Sequence, residues 1–266
     1  SPMSEFAMAG CACGAAMTGM KPVVEIMFND WIGLAIDQIA NQITKMRYVS
    51  AGQVKMPLVI RTNIGITRSH GPHHSQCLES WFLHLPGIRV IIPSTPYDAK
   101  GLLKAALRDN NPSIYMEHKK LYPVKGPVPE KEYIIPLGKA DVKRKGTDVT
   151  IVTWSRMVHD ALTAASKLAE HGISAEIVDP RTLVPLDKKT IIDSVKKTGH
   201  VVIAHEANKT GGAGGEISAI LTEEAFEYLK APVVRIATPD VPMPFSPPLE
   251  EYVVPNEAKI VRAVKN

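Results

Sequence analysis

Ser4-Glu5-Phe6-Ala7-Met8-Ala9-Gly10-Cys11-Ala12-Cys13-Gly14-Ala15-Ala16-Met17, followed shortly by Lys21-Pro22-Val23-Val24-Glu25-Ile26-Met27-Phe28, is the stretch whose reading decides the fold. Ser4 is a good N-cap, and after Glu5 no charge falls on any face of the helix that follows. Such a helix is expected to be buried all round. Gly10 and Gly14 thin one side of it, so that another backbone or helix can approach closely. The β-branched run after Pro22 then reads as a strand, and helix followed by buried strand is the opening of an α/β domain. Glu5 has two readings here: a helix-dipole carboxylate at a solvent edge, or an acid in a low-dielectric pocket with a raised pKa.

Working outward, the rhythm continues. Asn29 or Asp30 caps a helix over 32–48, where Ile36, Ile39, Ile43 and Met46 recur at helical spacing. A strand at 57–61 leads into an aperiodic loop, 62–76, rich in glycine, serine and histidine. A helix (76–83), a strand (88–92), a helix (97–108) and a strand (113–117) complete the first half. Four prolines, Pro123, Pro127, Pro129 and Pro136, mark a linker over 120–136. The second half repeats the alternation: strands at 148–154, 175–178, 200–204 and 233–237, and helices at 158–171, 186–197, 217–228 and from Asn256 onward. The pattern predicts two α/β domains, 1–119 and 137–266, each a mostly parallel sheet with helices on both faces.

Composition bounds the function. The 266 residues, 45% hydrophobic, suffice for two cores. A net charge of +4 with scattered lysines and arginines, and no basic stripe, argues against nucleic acid. Cys11, Cys13 and Cys77 are an odd number without a metal-binding spacing, and the first two read as small hydrophobes within a buried helix. With no signal segment and no apolar run of roughly 18 residues, the chain reads as soluble and intracellular, with no membrane partner.

Three local features carry candidate chemistry. His70, His73 and His74 cluster in the aperiodic loop, but no cysteine or carboxylate lies close by in sequence, which favours a structural or catalytic-loop role over a metal. The turn Thr210-Gly-Gly-Ala-Gly-Gly-Glu216 opens a helix and either holds an anion or is a tight turn under close packing. Arg108-Asp-Asn-Asn-Pro112 ends a helix, and its free carbonyls either ring a hard cation or form a simple C-cap turn.

Taken together, Ser4-Glu5 with its small-residue helix, Met20-Lys-Pro-Val-Val-Glu25, Ala35-Ile-Asp-Gln38, His74-Ser-Gln76, Asp98-Ala-Lys-Gly-Leu-Leu-Lys104, Arg108-Asp-Asn-Asn-Pro112, Glu117-His-Lys, Leu121-Tyr and Asp240-Val-Pro-Met-Pro244 carry a resemblance. The chain resembles, over essentially its whole length, the beta subunit of thiamine-diphosphate-dependent 2-oxoacid dehydrogenases of the pyruvate dehydrogenase type, in the transketolase-like superfamily. Acetoin dehydrogenase beta subunits share the same motifs. The resemblance implies a pyrimidine-binding domain followed by a transketolase C-terminal-like domain. It implies that Glu5 hydrogen-bonds a ring nitrogen of the cofactor's aminopyrimidine and activates the thiazolium carbon. It places Trp31 beside the pyrimidine, where phenylalanine or tyrosine is more usual, and His74 near the thiazolium and an incoming lipoyl group. Leu58, Ala106, Asp109 and Asn111 match positions that surround a potassium ion in some members, mainly through carbonyls.

The same resemblance implies partners. No Gly-Asp-Gly motif for magnesium and diphosphate is present; in the family it lies on an alpha subunit, in a heterotetramer of two alpha and two beta chains. Activity would then need that alpha subunit, and the product acyl group would pass to a lipoyl-bearing acyltransferase core. The substrate would be a small 2-oxoacid, with pyruvate first and acetoin as the alternative. A non-catalytic docking subunit or an inactive fragment is the reading from outside the enzymes. Beta subunits of this kind carry about fifty further residues ahead of Ser4, by ordinary domain size, so the chain is expected to begin inside a domain. The location expected is the cytoplasm, or the mitochondrial matrix in a eukaryote.

Overall fold

A computed structural model describes residues 3–266; Ser1 and Pro2, the start of the expected first domain, lie outside the described residues. The chain divides into two compact units. The first takes the chain up to Ile66, then His73–Leu137 and Thr182–Pro185; the second takes Thr67–Pro72, Gly138–Arg181 and Leu186–Asn266.

The first unit opens with helix α1 (Glu5–Met17) and strand β1 (Val23–Phe28). Its other strands are β2 (Val59–Ile64), β3 (Arg89–Ile91), β4 (Ser113–His118) and β8 (Thr182–Val184), set in the order β1-β2-β4-β3-β8. All neighbours are parallel except β8, which runs antiparallel to β3 with Val90 opposite Val184. Val59 sits between Val23 and Ser113, so the three strands end together at their C-terminal side. Helix α4 (Pro96–Arg108) starts where sequence predicts: Thr95 Oγ1 accepts from the Asp98 N–H at 3.1 Å, and Pro96 occupies the first turn. Its apolar side joins Val59, Ile91, Tyr115 and Ile135 in one core. The segment 120–136, proline-rich and linker-like in sequence, is tied to this helix. A Cβ on Gly101 would fall 2.6 Å from Ile135, and the Tyr133 ring stacks on Tyr97 at 4.6 Å.

Two expectations are corrected here. The helix expected over 32–48 is broken into a 3-10 segment (Asn29–Ala35), a π-helical turn (Gln38–Ile43) and the short helix α2 (Met46–Val49). Its buried isoleucines still face inward, but Gly33 and the β-branched positions give the backbone little reason to hold α geometry. Helix α1 is not buried all round. Ala9, Ala12, Cys13 and Ala16 face the core, whereas Phe6 is 53% and Met17 44% exposed, and Cys11 is exposed rather than packed. Within this chain only a narrow small-residue stripe has something to pack against. Gly10 meets only the Gln38 side chain, at 3.4 Å, and Gly14 faces open space.

The second unit has the order β10-β9-β6-β7-β5, with β5 (Asp141–Arg144), β6 (Val149–Thr153), β7 (Ala175–Asp179), β9 (Val201–Asn208) and β10 (Val234–Thr238). Only β5 is antiparallel to its neighbour. Helices α5 (Met157–Ala169) and α9 (Glu257–Lys265) pack on one face, α6 (Lys188–Thr198) and α7 (Ala213–Glu224) on the other; α3 (Glu79–Leu83) and α8 (Pro247–Val253) are short additions to the first and second units. Val149 and Ile151 of β6 point into the α5 core, while Thr150 on the opposite face shares its hydroxyl with Ser194 at 2.7 Å and Thr198 at 2.8 Å.

Candidate active site on the first unit

Of the three residues expected at the cofactor, Trp31 and His74 meet beyond the end of β1, and Glu5 lies on a helix that packs against the same segment. β1 ends at Phe28, and the 3-10 segment that follows carries Trp31. Helix α1, with the half-buried Glu5 in its first turn, packs directly on that segment. His74 arrives from the returning loop. The three rings form one edge-to-face cluster: Phe28 to Trp31 at 5.0 Å, Phe28 to His74 at 4.8 Å, Trp31 to His74 at 5.5 Å.

The cluster is fastened by polar groups that sequence alone does not reveal. Asp30 Oδ1 accepts from the Gln76 main-chain N–H at 3.1 Å and from its side-chain amide at 3.0 Å. The buried Asn29 amide donates to the Gln76 carbonyl at 3.4 Å. Lys119, just past the end of β4, donates to the His74 carbonyl and lies 5.0 Å over the Phe28 ring. Phe28 and Lys119 are the contacts of this cluster that sequence reasoning missed at the residue level. Lys119 lies in the Glu117-His-Lys motif, but no spacing rule predicts which loop its ammonium reaches.

Beside this cluster runs an ion network across three strands. Arg61 on β2 donates to Glu25 on β1 at 2.7 Å and to Glu117 on β4 at 2.6 Å. Burial pushes the Glu117 carboxyl above its ordinary range, and Arg61 offsets only part of that rise. Burial, helped by Glu117, pushes the Tyr122 phenol up to about 12. A recess of about 200 Å³ opens next to Glu117, bounded by Pro93, Thr95, Pro96, His118, Leu121 and Tyr122; Glu5, Trp31 and His74 do not line it.

The other candidates resolve differently. His73 and His74 belong to the first unit, but His70 lies in the piece that packs with the second, where Ser69 N–H donates to Glu250 at 3.2 Å. Among the described residues no group of three or more His, Cys, Asp or Glu side chains is placed to hold a metal ion. Leu58, Ala106, Asp109 and Asn111 do gather at the C-terminal end of α4. The Leu58 carbonyl accepts from Ser113 at 2.9 Å and that of Ala106 from Asp109 at 3.2 Å. Asp109 Oδ2 accepts from Arg89 at 3.1 Å and its Oδ1 from the Asn111 amide at 2.7 Å, while Arg47 donates to Asn111 Oδ1. Two guanidiniums thus already occupy side-chain oxygens, leaving carbonyls as the remaining donors for a cation. The glycine turn is filled by a side chain: a Cβ on Gly212 or Gly214 would fall 2.6 Å or 2.7 Å from the His205 ring. Close packing, not an open anion cradle, accounts for those glycines.

Residues 1–125 match the family described as the transketolase pyrimidine binding domain, and 138–260 the transketolase C-terminal domain. The chain is 48% identical over 265 residues to the beta subunit of acetoin:2,6-dichlorophenolindophenol oxidoreductase of Cupriavidus necator, covering 100% of this chain and 78% of that protein. It is 45% identical to the 2-oxoisovalerate dehydrogenase subunit beta of Bacillus subtilis (100% and 82% covered) and 46% identical to the pyruvate dehydrogenase E1 component subunit beta of Porphyra purpurea (100% and 80%). The solved structure of a split gene transketolase, an inactive beta4 tetramer, superposes with a TM-score of 0.82 at 27% identity, covering 99% of this chain and 81% of its own. With two domain matches in the expected order and relatives of this identity along the whole chain, the chain belongs to the family of beta subunits of thiamine-diphosphate-dependent 2-oxoacid dehydrogenases.

Proposed function

We propose that this chain supplies the proton-handling half of a 2-oxoacid dehydrogenase active site, with pyruvate as the substrate, and that it works only when joined to an alpha subunit in a heterotetramer. The observation that carries the reading is the juxtaposition of the Trp31, Phe28 and His74 rings with the helix that bears Glu5, all at the C-terminal ends of parallel strands. Thiamine diphosphate, when bound, supplies the carbon nucleophile that adds to the 2-oxoacid carbonyl and holds the electrons released on loss of carbon dioxide. Glu5 would face the pyrimidine ring nitrogen and exchange its proton there. Trp31 gives that ring an apolar wall and excludes water from it. His74 sets a donor beside the reacting carbon, where the lipoyl group arrives. Magnesium and the diphosphate belong to the alpha subunit in this scheme, the acyl group leaves on a lipoyl-bearing acyltransferase core, and main-chain carbonyls at Leu58, Ala106, Asp109 and Asn111 would be the donors for potassium.

The split gene transketolase of similar fold is, by its name, an inactive tetramer of beta chains, which supports the need for a second chain. Acetoin is the second reading, favoured by relatives at 48% and 46% identity that act on it by name. No described helix is long and apolar enough to cross a membrane; we assign the chain to the cytoplasm, or to the mitochondrial matrix in a eukaryote. The test is reconstitution with an alpha subunit and assay with pyruvate, 2-oxoisovalerate and acetoin in turn. Pyruvate turnover that falls at least ~100-fold in Glu5→Gln is expected, the scale of losing a positioned proton-transfer group. Equal turnover by the variant, or turnover by the beta chain alone, would sink this reading.

A further inference from the structure

We propose that Lys119 is a positioning residue for His74, clamping the imidazole from behind through the main chain. Lys119 is 8% exposed, and an ammonium taken that far out of water is tolerated only where its protons and charge are met. It meets them at the loop. Its Nζ donates to the His74 carbonyl, 45 residues away in sequence, and lies 5.0 Å over the face of Phe28. The same Phe28 ring holds the His74 imidazole edge to face, at 4.8 Å and 88°. One cation therefore fixes the peptide on which His74 is mounted and the aromatic surface against which its ring rests.

The other end of this short segment is also tied, because Gln76 donates to Asp30 from both its main-chain and its side-chain N–H. Between those two fastenings the His74 ring also meets Trp31, at 5.5 Å. The anchors come from the ends of different strands: Phe28 closes β1, and Lys119 follows β4 directly after His118. Loss of the ammonium frees the carbonyl and lets the imidazole drift from the approaching lipoyl group, while Glu5 and Trp31 stay where they are.

The inference rests on the role given to His74 above, and the experiment separates the two. Lys119→Met and Lys119→Arg are assembled with the alpha subunit, and three quantities are read: deuterium uptake of residues 73–76, decarboxylation coupled to an artificial electron acceptor, and reductive acylation of a lipoyl domain. Lys119→Met is expected to speed exchange in 73–76 and to lower kcat for lipoyl acylation ~10-fold or more, while acceptor-coupled decarboxylation stays within ~2-fold, since a misplacement of about 1 Å affects only the step that uses the misplaced group. Lys119→Arg keeps both contacts and restores most of the rate. In a His74→Ala background Lys119→Met should add nothing, because the two act as one unit. Wild-type exchange in 73–76, or equal loss of both activities, overturns the clamp; should Lys119→Met fail to fold, Lys119→Gln carries the same comparison. If His74→Ala leaves acylation intact, the role of His74 falls, and the exchange data still decide the clamp.

Discussion

At the scale of single residues, Arg61 ties β1, β2 and β4 together through Glu25 and Glu117. Glu117 lies in a site where burial, with Glu25 adding to it, pushes its carboxyl up, and the guanidinium at 2.6 Å offsets part of that rise. Arg61→Met removes that offset, so the folded pKa of Glu117 rises further above its unfolded value. A carboxyl with a raised folded pKa binds more protons when folded, and stability therefore falls as pH rises through the window between the two values. Urea unfolding of Arg61→Met should show a loss of roughly 2 kcal/mol at pH 8, less than a fully buried pair would lose because Arg61 is about one-third exposed, and a smaller loss near pH 5. A pH-independent loss would mean that Arg61 acts through packing alone. Glu25 and Glu117 alternate along strands that sequence reads correctly, but only the register β1-β2-β4 brings both onto one arginine.

At the scale of elements, the second unit hides a proton-sensitive contact between β9 and α7. His205 is fully buried, stacks on Trp154 at 5.1 Å and 8°, and leaves room on its other side only for glycine. Burial, with Arg235 adding to it, lowers its pKa from 6.5 to about 4. Its folded pKa is thus depressed, so its contribution is complete above pH 6.5 and is lost as pH falls through 4. His205→Phe should keep the stack yet flatten the acid limb of the stability curve by ~3 kcal/mol across that window, read as urea midpoints at pH 7.5 and 4.5. An unchanged acid limb would show that the ring does not titrate with unfolding. The elements best read from sequence are those with their own punctuation, such as α4 with Thr95-Pro96 and α6 with Asp187, whose carboxylate accepts from Thr190 N–H at 3.1 Å. Strands β5 and β8 leave no mark in the sequence, because Asp-Val-Lys-Arg and Thr-Leu-Val are too short to show a period. The break in 29–49 is masked there by helical isoleucine spacing: Gly33 and the β-branched residues only weaken α geometry, and packing against α1 and β1 acts on the local winding. The roles of Glu5, Trp31 and His74 come from resemblance, since no residue pattern alone joins position 5 to positions 31 and 74.

At the scale of the whole molecule, an apolar surface remains uncovered among the described residues. On α1, on β1 and on the turn between them, Phe6, Met17, Met20, Val23 and Met27 are all exposed, Met20 and Met27 at 60% each. A monomer rarely leaves so many large side chains in water on adjoining elements, and this is also the side where Glu5 starts the helix. The uncharged face that sequence assigns to a buried helix is therefore still consistent with burial, by another chain. Met20 and Met27 are exposed and absent from the α4 core, so replacing them with glutamate leaves that core in place. Thermal unfolding of the isolated chain should then change by no more than ordinary surface substitutions do, whereas assembly with the alpha subunit, followed by sedimentation, should weaken ~10-fold or more for every ~1.4 kcal/mol lost at the interface. Pyruvate turnover at saturating alpha subunit would recover, since Glu5, Trp31 and His74 are untouched. Assembly as tight as that of the unmodified chain would place the partner elsewhere and leave the apolar face of α1 without its explanation.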